Sequence, residues 1–308
     1  MNNIEQEVKT QTPVPEKKKR KRRFGDRSDG RRLRTISPMA MVSPFIMTER
    51  NDSQNLFAET IDISVCEKFL REQKAAGNIN MGMLHVFLAA YVRTVSQRPA
   101  INRFIAGQRV FARNNIEVVM TIKKELSLES PDTVIKCYFE PTDTIVDVYN
   151  KFNKVVEENT GTESNSDFDK TAKVLTYLPR FLLRFAVWVL KTIDYYFCLP
   201  KFLLGVSPFH GSFIITSMGS LGIPPIYHHL YNFGNLPIFL SYGAKRKEPR
   251  LNADGTVEVR PVMDITVVTD ERICDGFYYA GAFKMMRRFI KNPYVLLDPP
   301  EKVIEDVD

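Results

Sequence analysis

The chain has one tryptophan, four histidines and four cysteines among 308 residues. Cys66, Cys137, Cys198 and Cys274 are widely spaced and form no Cys-x-x-Cys pair. Without such pairs or an apolar leader, a secreted disulfide scaffold is not expected, and a reduced, cytoplasmic protein is. No pair among His85, His210, His228 and His229 has metal-ligand spacing, so no metal is expected. The longest charge-free apolar pieces are too short to cross a bilayer. No internal repeat is present, which excludes a solenoid or propeller built from copies of one unit.

The body of the chain also lacks a charge excess. Residues 1–34 hold 12 of the 43 Lys and Arg and 5 of the 36 Asp and Glu, which leaves 31 of each sign in residues 35–308. The formal charge of +7 therefore belongs to the start of the chain, centred on the run 17–23. Like charges resist compaction, so residues 1–34 are expected as a basic, disordered tail ahead of one domain over 35–308. Clustered cations name no partner by themselves, and no specific nucleic acid is expected.

The apolar share, 44%, suffices for a full core. Strand-like and helix-like stretches alternate. Residues 58–63 read as a strand, and Ser64 with Glu67 resembles a helix cap opening a helix to about residue 76. Residues 83–96 form a strongly apolar helix closed by Pro99. Strands follow at 109–111, 117–123 and 134–139. Ile145, Val148, Tyr149, Phe152 and Val155 have the spacing of an amphipathic helix over 144–158. In the last third, strands are expected at 211–217, 238–243, 257–259 and 263–269, with a turn at Asn252-Ala253-Asp254-Gly255 and a helix over 278–291.

Residues 174–204 are rich in Leu, Phe, Val and Tyr and contain Trp188. Arg180, Arg184, Lys191 and Asp194 interrupt them, and Pro179 and Pro200 punctuate them. Burial within an oligomer is the first expectation. A helix lying on a membrane surface is the second, since apolar residues beside scattered cations suit an interface.

The segment after residue 263 runs strand, tight polar loop, helix, and its loop reads Glu271-Arg272-Ile273-Cys274-Asp275-Gly276. Here the sequence resembles the catalytic domain of the E2 components of 2-oxoacid dehydrogenases and the chloramphenicol acetyltransferases, one superfamily of CoA-dependent acyltransferases. Their signature is a histidine, three residues, then Asp-Gly ahead of a helix. The spacing is kept and the histidine is replaced by Glu271. Residues 211–219, with Thr216 and Ser217, are similar to the family segment that ends in a hydroxyl-bearing residue before a turn. Residues 240–244 resemble the strand that follows, 50–63 the start of the domain, and 83–104, with Arg98-Pro99-Ala100-Ile101-Asn102, a helix and its exit. These segments are collinear over roughly residues 42–295.

The resemblance implies an α/β fold, a two-layer sandwich that assembles as a homotrimer. CoA or acyl-CoA and a small acceptor would enter a channel between subunits from opposite ends. It places Glu271 at the position of the general base and Asp275 at that of the structural carboxylate, with Arg50 as its partner. Ser217, or Thr216 one place earlier, stands where the oxyanion donor belongs. No lipoyl group is expected, because residues 1–40 are too few for a lipoyl domain and no Asp-Lys-Ala turn occurs.

Proton abstraction needs a base with a pKa near the working pH. Imidazole meets that demand untuned, whereas a glutamate near about 4.3 is far weaker. Burial would raise it and a neighbouring cation such as Arg272 would lower it. Three readings follow: Glu271 is a former catalytic position now held in a salt bridge, it is a working base, or the base has moved to His228 or His229. His85 is expected as a satisfied core histidine, His210 as a cap at a strand entry, and Cys274 as a packing residue. At the level of function, a trimeric ligand-binding or scaffold protein without catalysis stands beside an acyltransferase acting on a hydroxyl, amine or thiol.

Overall fold

The computed structural model describes residues 20–123, 132–160 and 177–308. Its main layer is a six-stranded mixed sheet made of β2 (Gln54–Asp62), β5 (Ile116–Lys123), β6 (Asp132–Phe139), β7 (Phe213–Ser217), β8 (Ile238–Leu251) and β9 (Val257–Asp270), in the order β2-β9-β8-β7-β5-β6. β7 is parallel to both neighbours, and the remaining pairs are antiparallel. A smaller sheet joins β1 (Gly30–Arg32), β4 (Arg109–Arg113) and β3 (Arg103–Ala106).

The helices are α1 (Pro38–Ile46), α2 (Ser64–Ala75), α3 (Met83–Gln97), α4 (Ile145–Asn159), α5 (Arg180–Tyr196), α6 (Lys201–Val206) and α7 (Gly276–Lys291). α3 is apolar nearly all round, as a helix enclosed by other elements must be, and residues 85–96 are all buried. Its Tyr91 ring stacks on Phe213 at 4.1 Å and its Phe87 ring on Tyr242 at 5.0 Å, which seats it on β7 and β8. α2, α4 and α7 complete the helical layer over the core of Ile215, Leu240, Ile265 and Val267. The opposite face of the sheet, with Ile214, Phe239 and Val268, is covered by Leu230 and Leu236 of the long β7–β8 connection. The architecture is the expected mixed α/β two-layer sandwich.

Several local readings hold. The helix expected over 144–158 is α4, which the structure shows capped by Thr144 through a reciprocal bond to Asp147, and the expected turn at 252–255 places Gly255 at φ +82°, a conformation glycine adopts readily. Others need correction. The expected breaks at residues 243 and 259 do not end strands, because β8 and β9 run on as one long hairpin. Pro261 is tolerated inside β9 because its missing N–H falls where β2 has ended: Ile63 donates to the Pro261 carbonyl at 3.0 Å, and the Ile63 carbonyl accepts from Glu67 N of α2 at 2.9 Å instead. Ser64 is inside α2 rather than its cap, and Asp62 accepts from its N–H and hydroxyl.

The boundary at residue 34 does not delimit the folded region. Gly30–Arg32 pairs with β4, and Arg27, Asp29 and Leu33 are buried. A charge run reads as solvated only when its counter-ions are solvent ions. Arg27 instead finds Asp29 and, 167 residues later in the chain, Asp194. The start of the expected tail, and residues 174–176 of the apolar segment, lie outside the described residues.

Candidate functional site

The loop that follows β9 is built around a buried acid. Asp270 is 1% exposed and is gripped by two guanidiniums. Arg272 donates Nε to Oδ1 at 2.9 Å and Nη2 to Oδ2 at 2.8 Å, while Arg50 donates Nε to Oδ2 at 3.3 Å. Ser53 Oγ adds a bond at 3.1 Å, and Tyr279 Oη donates to the Asp270 carbonyl at 2.9 Å. The two arginines then reach outward to backbone carbonyls, Arg50 to Tyr231 and Gly234, Arg272 to Met47 and Thr48. A paired, hydrogen-bonded ion cluster of this kind is the condition under which buried charge is tolerated. It ties the β9–α7 loop to the start of β2 and to the β7–β8 connection.

This arrangement corrects the expected partnership of Arg50 with Asp275. Asp275 is exposed and caps α7, accepting Tyr278 N at 2.7 Å. Both acids stand within six residues of sequence, but β9 carries the first into the interior and the helix start turns the second toward solvent.

Glu271, between them, points to solvent. Its N–H donates to Ser53 O at 2.8 Å, and among the described residues its carboxylate has no ion-pair partner, so the expected salt bridge is absent. It borders a cleft of about 520 Å³ lined also by Met39, Met47, Arg103, Cys274 and Tyr278. Burial pushes the Cys274 thiol far above its ordinary range. A thiol held protonated is a poor nucleophile.

Ser217 lies elsewhere. It is registered with Tyr242, and Tyr242 with Ile265. Glu271 is six residues beyond Ile265, on the order of 20 Å along the strand at about 3.4 Å per residue. Burial raises the Tyr242 pKa, and the neighbouring Ser217 side chain offsets part of that rise. Thr216 is paired with Ser241, and Ser241 with Thr266, which brings it nearer to the loop by a single residue. Within one copy, neither hydroxyl shares a reacting centre with Glu271.

The histidines are distributed with as little convergence. His228 stacks on Phe239 at 4.2 Å, on the face away from the helices, and burial lowers its pKa. Phe239 is registered with Val268, three residues short of Glu271. His229 is exposed beside Tyr231. His85 is buried, with Nδ1 accepting Gly82 N at 3.1 Å and Nε2 at 3.2 Å from Asn153 Oδ1. Among the described residues no group of three His, Cys, Asp or Glu could hold a metal ion.

His210 does more than cap a strand entry. Its Nδ1 lies 2.7 Å from Ser207 Oγ and its Nε2 3.3 Å from Asp194 Oδ2. Burial raises the Asp194 pKa, but the bonds from His210 and Arg27 outweigh it and hold the carboxyl at about 2. Burial also lowers the His210 pKa, and the ring is 1% exposed. Ser207, His210 and Asp194 form a line of the catalytic type, but Asp194 is shared with Arg27, whose Nη2 donates at 2.7 Å. The cluster's evident work is to anchor α5. Sequence reading missed it, although the lone acid in an apolar stretch was its signal.

With this geometry in view, residues 208–297 match the family model for 2-oxoacid dehydrogenases acyltransferase (catalytic domain). That span covers β7, β8, β9 and the Glu271 loop through α7. No curated protein matches the chain. Among solved structures, it is similar to a probable dihydrolipoamide acetyltransferase from Listeria monocytogenes 4b F2365, at TM-score 0.52 and 14% identity, over 85% of this chain and 95% of that one. A truncated catalytic core of the 2-oxoacid dehydrogenase multienzyme complex from Thermoplasma acidophilum gives TM-score 0.51 and 12% identity, over 85% and 99%. A chloramphenicol acetyltransferase gives 0.50 and 14%, over 84% and 99%. At such identities the likeness establishes the fold, that of the CoA-dependent acyltransferases.

Proposed function

We propose that this chain is a CoA-dependent acyltransferase homologue that has lost the proton-transfer step, and that it binds an acyl-CoA-type thioester between copies of itself without turning it over. The observation that carries this reading is the chemistry of the loop from Asp270 to Gly276. Where the resemblance calls for an imidazole, the loop presents the solvated Glu271 carboxylate. Its other charged groups are engaged in holding backbone: Asp270 and Arg272 clamp one another, and Asp275 caps a helix. His228 and His229 do not replace the base, because the first is stacked on Phe239 over the other face of the sheet and the second is beside Tyr231.

The separation of Ser217 and Glu271 supports association of copies, if the two are to share one reacting centre as the resemblance implies. Two groups about 20 Å apart along a sheet meet only across a boundary between subunits, and the resemblance makes that assembly a homotrimer. The cleft beside Glu271 has the volume of a ligand site and a mostly apolar lining. It suits the thin pantetheine arm of CoA. A phosphate is less well served, since the guanidinium at its edge, Arg103, is already paired with Asp306 at 2.7 and 2.5 Å.

The test is calorimetry with CoA and acetyl-CoA, beside an assay of thiol release from acetyl-CoA with hydroxyl, amine and thiol acceptors. Binding without release above the uncatalysed rate is expected, on a trimer by light scattering. A second reading rests on the unpaired state of Glu271: acyl transfer to a small acceptor with this carboxylate as base. Turnover that disappears in Glu271→Gln would establish it and overturn the first.

A further inference from the structure

α5 is built inside out. Of its 17 residues the one that is buried is an acid, Asp194, while Phe185 and Trp188 are 61% and 60% exposed. Phe181 and Tyr196 on the same helix, and Phe197 and Phe202 after it, are more exposed still. A helix that docked by the hydrophobic effect would hide these rings. This one docks instead through Asp194, bonded to Arg27 and His210, and through two carbonyls at its end that accept from Arg27 Nη1, Asp194 O at 2.7 Å and Phe197 O at 3.1 Å.

At about 100° per residue, Trp188, Phe181, Phe185, Tyr196 and Leu182 fall within an arc of about 120°, and Arg180, Lys191 and Arg184 within about 40° on its flank. Over residues 177–206 Asp194 is the single acidic residue, and it faces inward. The outward surface therefore offers aromatic rings and cations, and among the described residues no acid is paired with those cations. A second copy of the same face would set cation against cation.

From this pattern we infer that α5 and α6 form an in-plane docking surface for an anionic lipid bilayer. The rings enter the boundary between headgroups and acyl chains, and Arg180, Arg184, Lys191 and Lys201 pair with headgroup phosphates. At 17 residues α5 is about 26 Å long, and among the described residues no helix is long and apolar enough to cross a membrane. Lying flat is the orientation in which its apolar arc and its flanking cations are both satisfied. The Asp194 anchor keeps the helix attached to the sheet while leaving Phe181, Phe185, Trp188 and Tyr196 exposed for the lipid.

Trp188 is the only tryptophan in the chain, so its fluorescence reports on this helix alone. The full chain is titrated with phosphatidylcholine vesicles with and without phosphatidylglycerol, and pelleting is followed in parallel. The expected result is a blue shift of Trp188 emission and co-sedimentation with the phosphatidylglycerol vesicles, both weakened by salt. Arg184→Glu with Lys191→Glu should lower that affinity at least about tenfold. Phe185→Ser with Phe202→Ser should abolish it while the far-ultraviolet circular dichroism is unchanged, since both side chains are exposed. The inference is overturned by vesicle binding that survives both variants, or by no response to any vesicle. It is equally overturned if the shift appears on raising protein concentration without lipid, which would mean that another copy covers the helix.

Discussion

Arg272 closes on Asp270, two residues before it, with Nε and Nη2 on separate carboxylate oxygens at 2.9 and 2.8 Å. The fork fixes the loop between β9 and α7 at the point where Glu271 turns out to solvent. The locked pair on either side fixes the backbone from which the Glu271 side chain projects into solvent.

Because Asp270 is the acid between two buried guanidiniums, Asp270→Ala leaves Arg50 and Arg272 unpaired and should cost on the order of 3–5 kcal/mol. Asp275→Ala removes only a helix cap and should cost about 1 kcal/mol. Urea denaturation of both variants checks the ranking. A larger loss from Asp275→Ala would mean that Asp275 is the acid that holds the loop.

Placing an imidazole at position 271 provides a gain-of-function test of the loop. Glu271→His should raise CoA release from acetyl-CoA by about 10²-fold over the wild-type chain, the lower end of what a positioned general base contributes. Thiol-reagent kinetics at neutral pH measure it. A variant no faster than wild type would show that more than the base has been lost.

The Asp194 cluster should give the fold an acid limit. The carboxyl has a folded pKa of about 2 against an ordinary 3.8, so its contribution is complete above pH 3.8 and is lost as the pH falls toward 2. The magnitude is on the order of 2 kcal/mol. His210, whose pKa is lowered by burial, acts in the same direction: the unfolded chain takes up its proton first, and stability falls as the pH drops below 6.5. Asp194→Asn should flatten the stability profile between about pH 4 and pH 2, and unfolding midpoints across that range measure it.

The bulge of β8 predicts a steric effect. A Cβ at Gly243 would sit 2.6 Å from Pro225 Cδ and 2.9 Å from its nitrogen, where the backbone cannot give way. Gly243→Ala should therefore destabilise by about 1–3 kcal/mol, read as a lowered midpoint of thermal unfolding. Gly281→Ala, with open space around the new methyl, should not, and serves as the control.

Much of the fold could be read from residues alone because its signals are local. The amphipathic spacing of α4, the apolarity of α3, the turn after Asn252 and the loop-then-helix order after β9 each depend on neighbours a few positions apart. The site was legible in one respect, the spacing from Glu271 to Asp275-Gly276 ahead of a helix; that Glu271 stands in a histidine's place rests on the resemblance alone. Its partnerships were not. Arg50 pairs with an acid 220 positions away, and a sequence offers two, Asp270 and Asp275, with nothing to choose between them.

The sequence by itself determined the strand and helix order of the last third, the neutral body, and the lack of a histidine between residues 271 and 276, since those depend on composition and spacing. Only the tertiary structure decided that Asp270 and not Asp275 binds Arg50, that residues 27–33 belong to the fold, and that Asp194 turns inward while the rings of α5 turn out. The physical reason is common to all three. Burying an ion is favourable only when its partner is delivered to the same place, and delivery is a property of the chain's path through space.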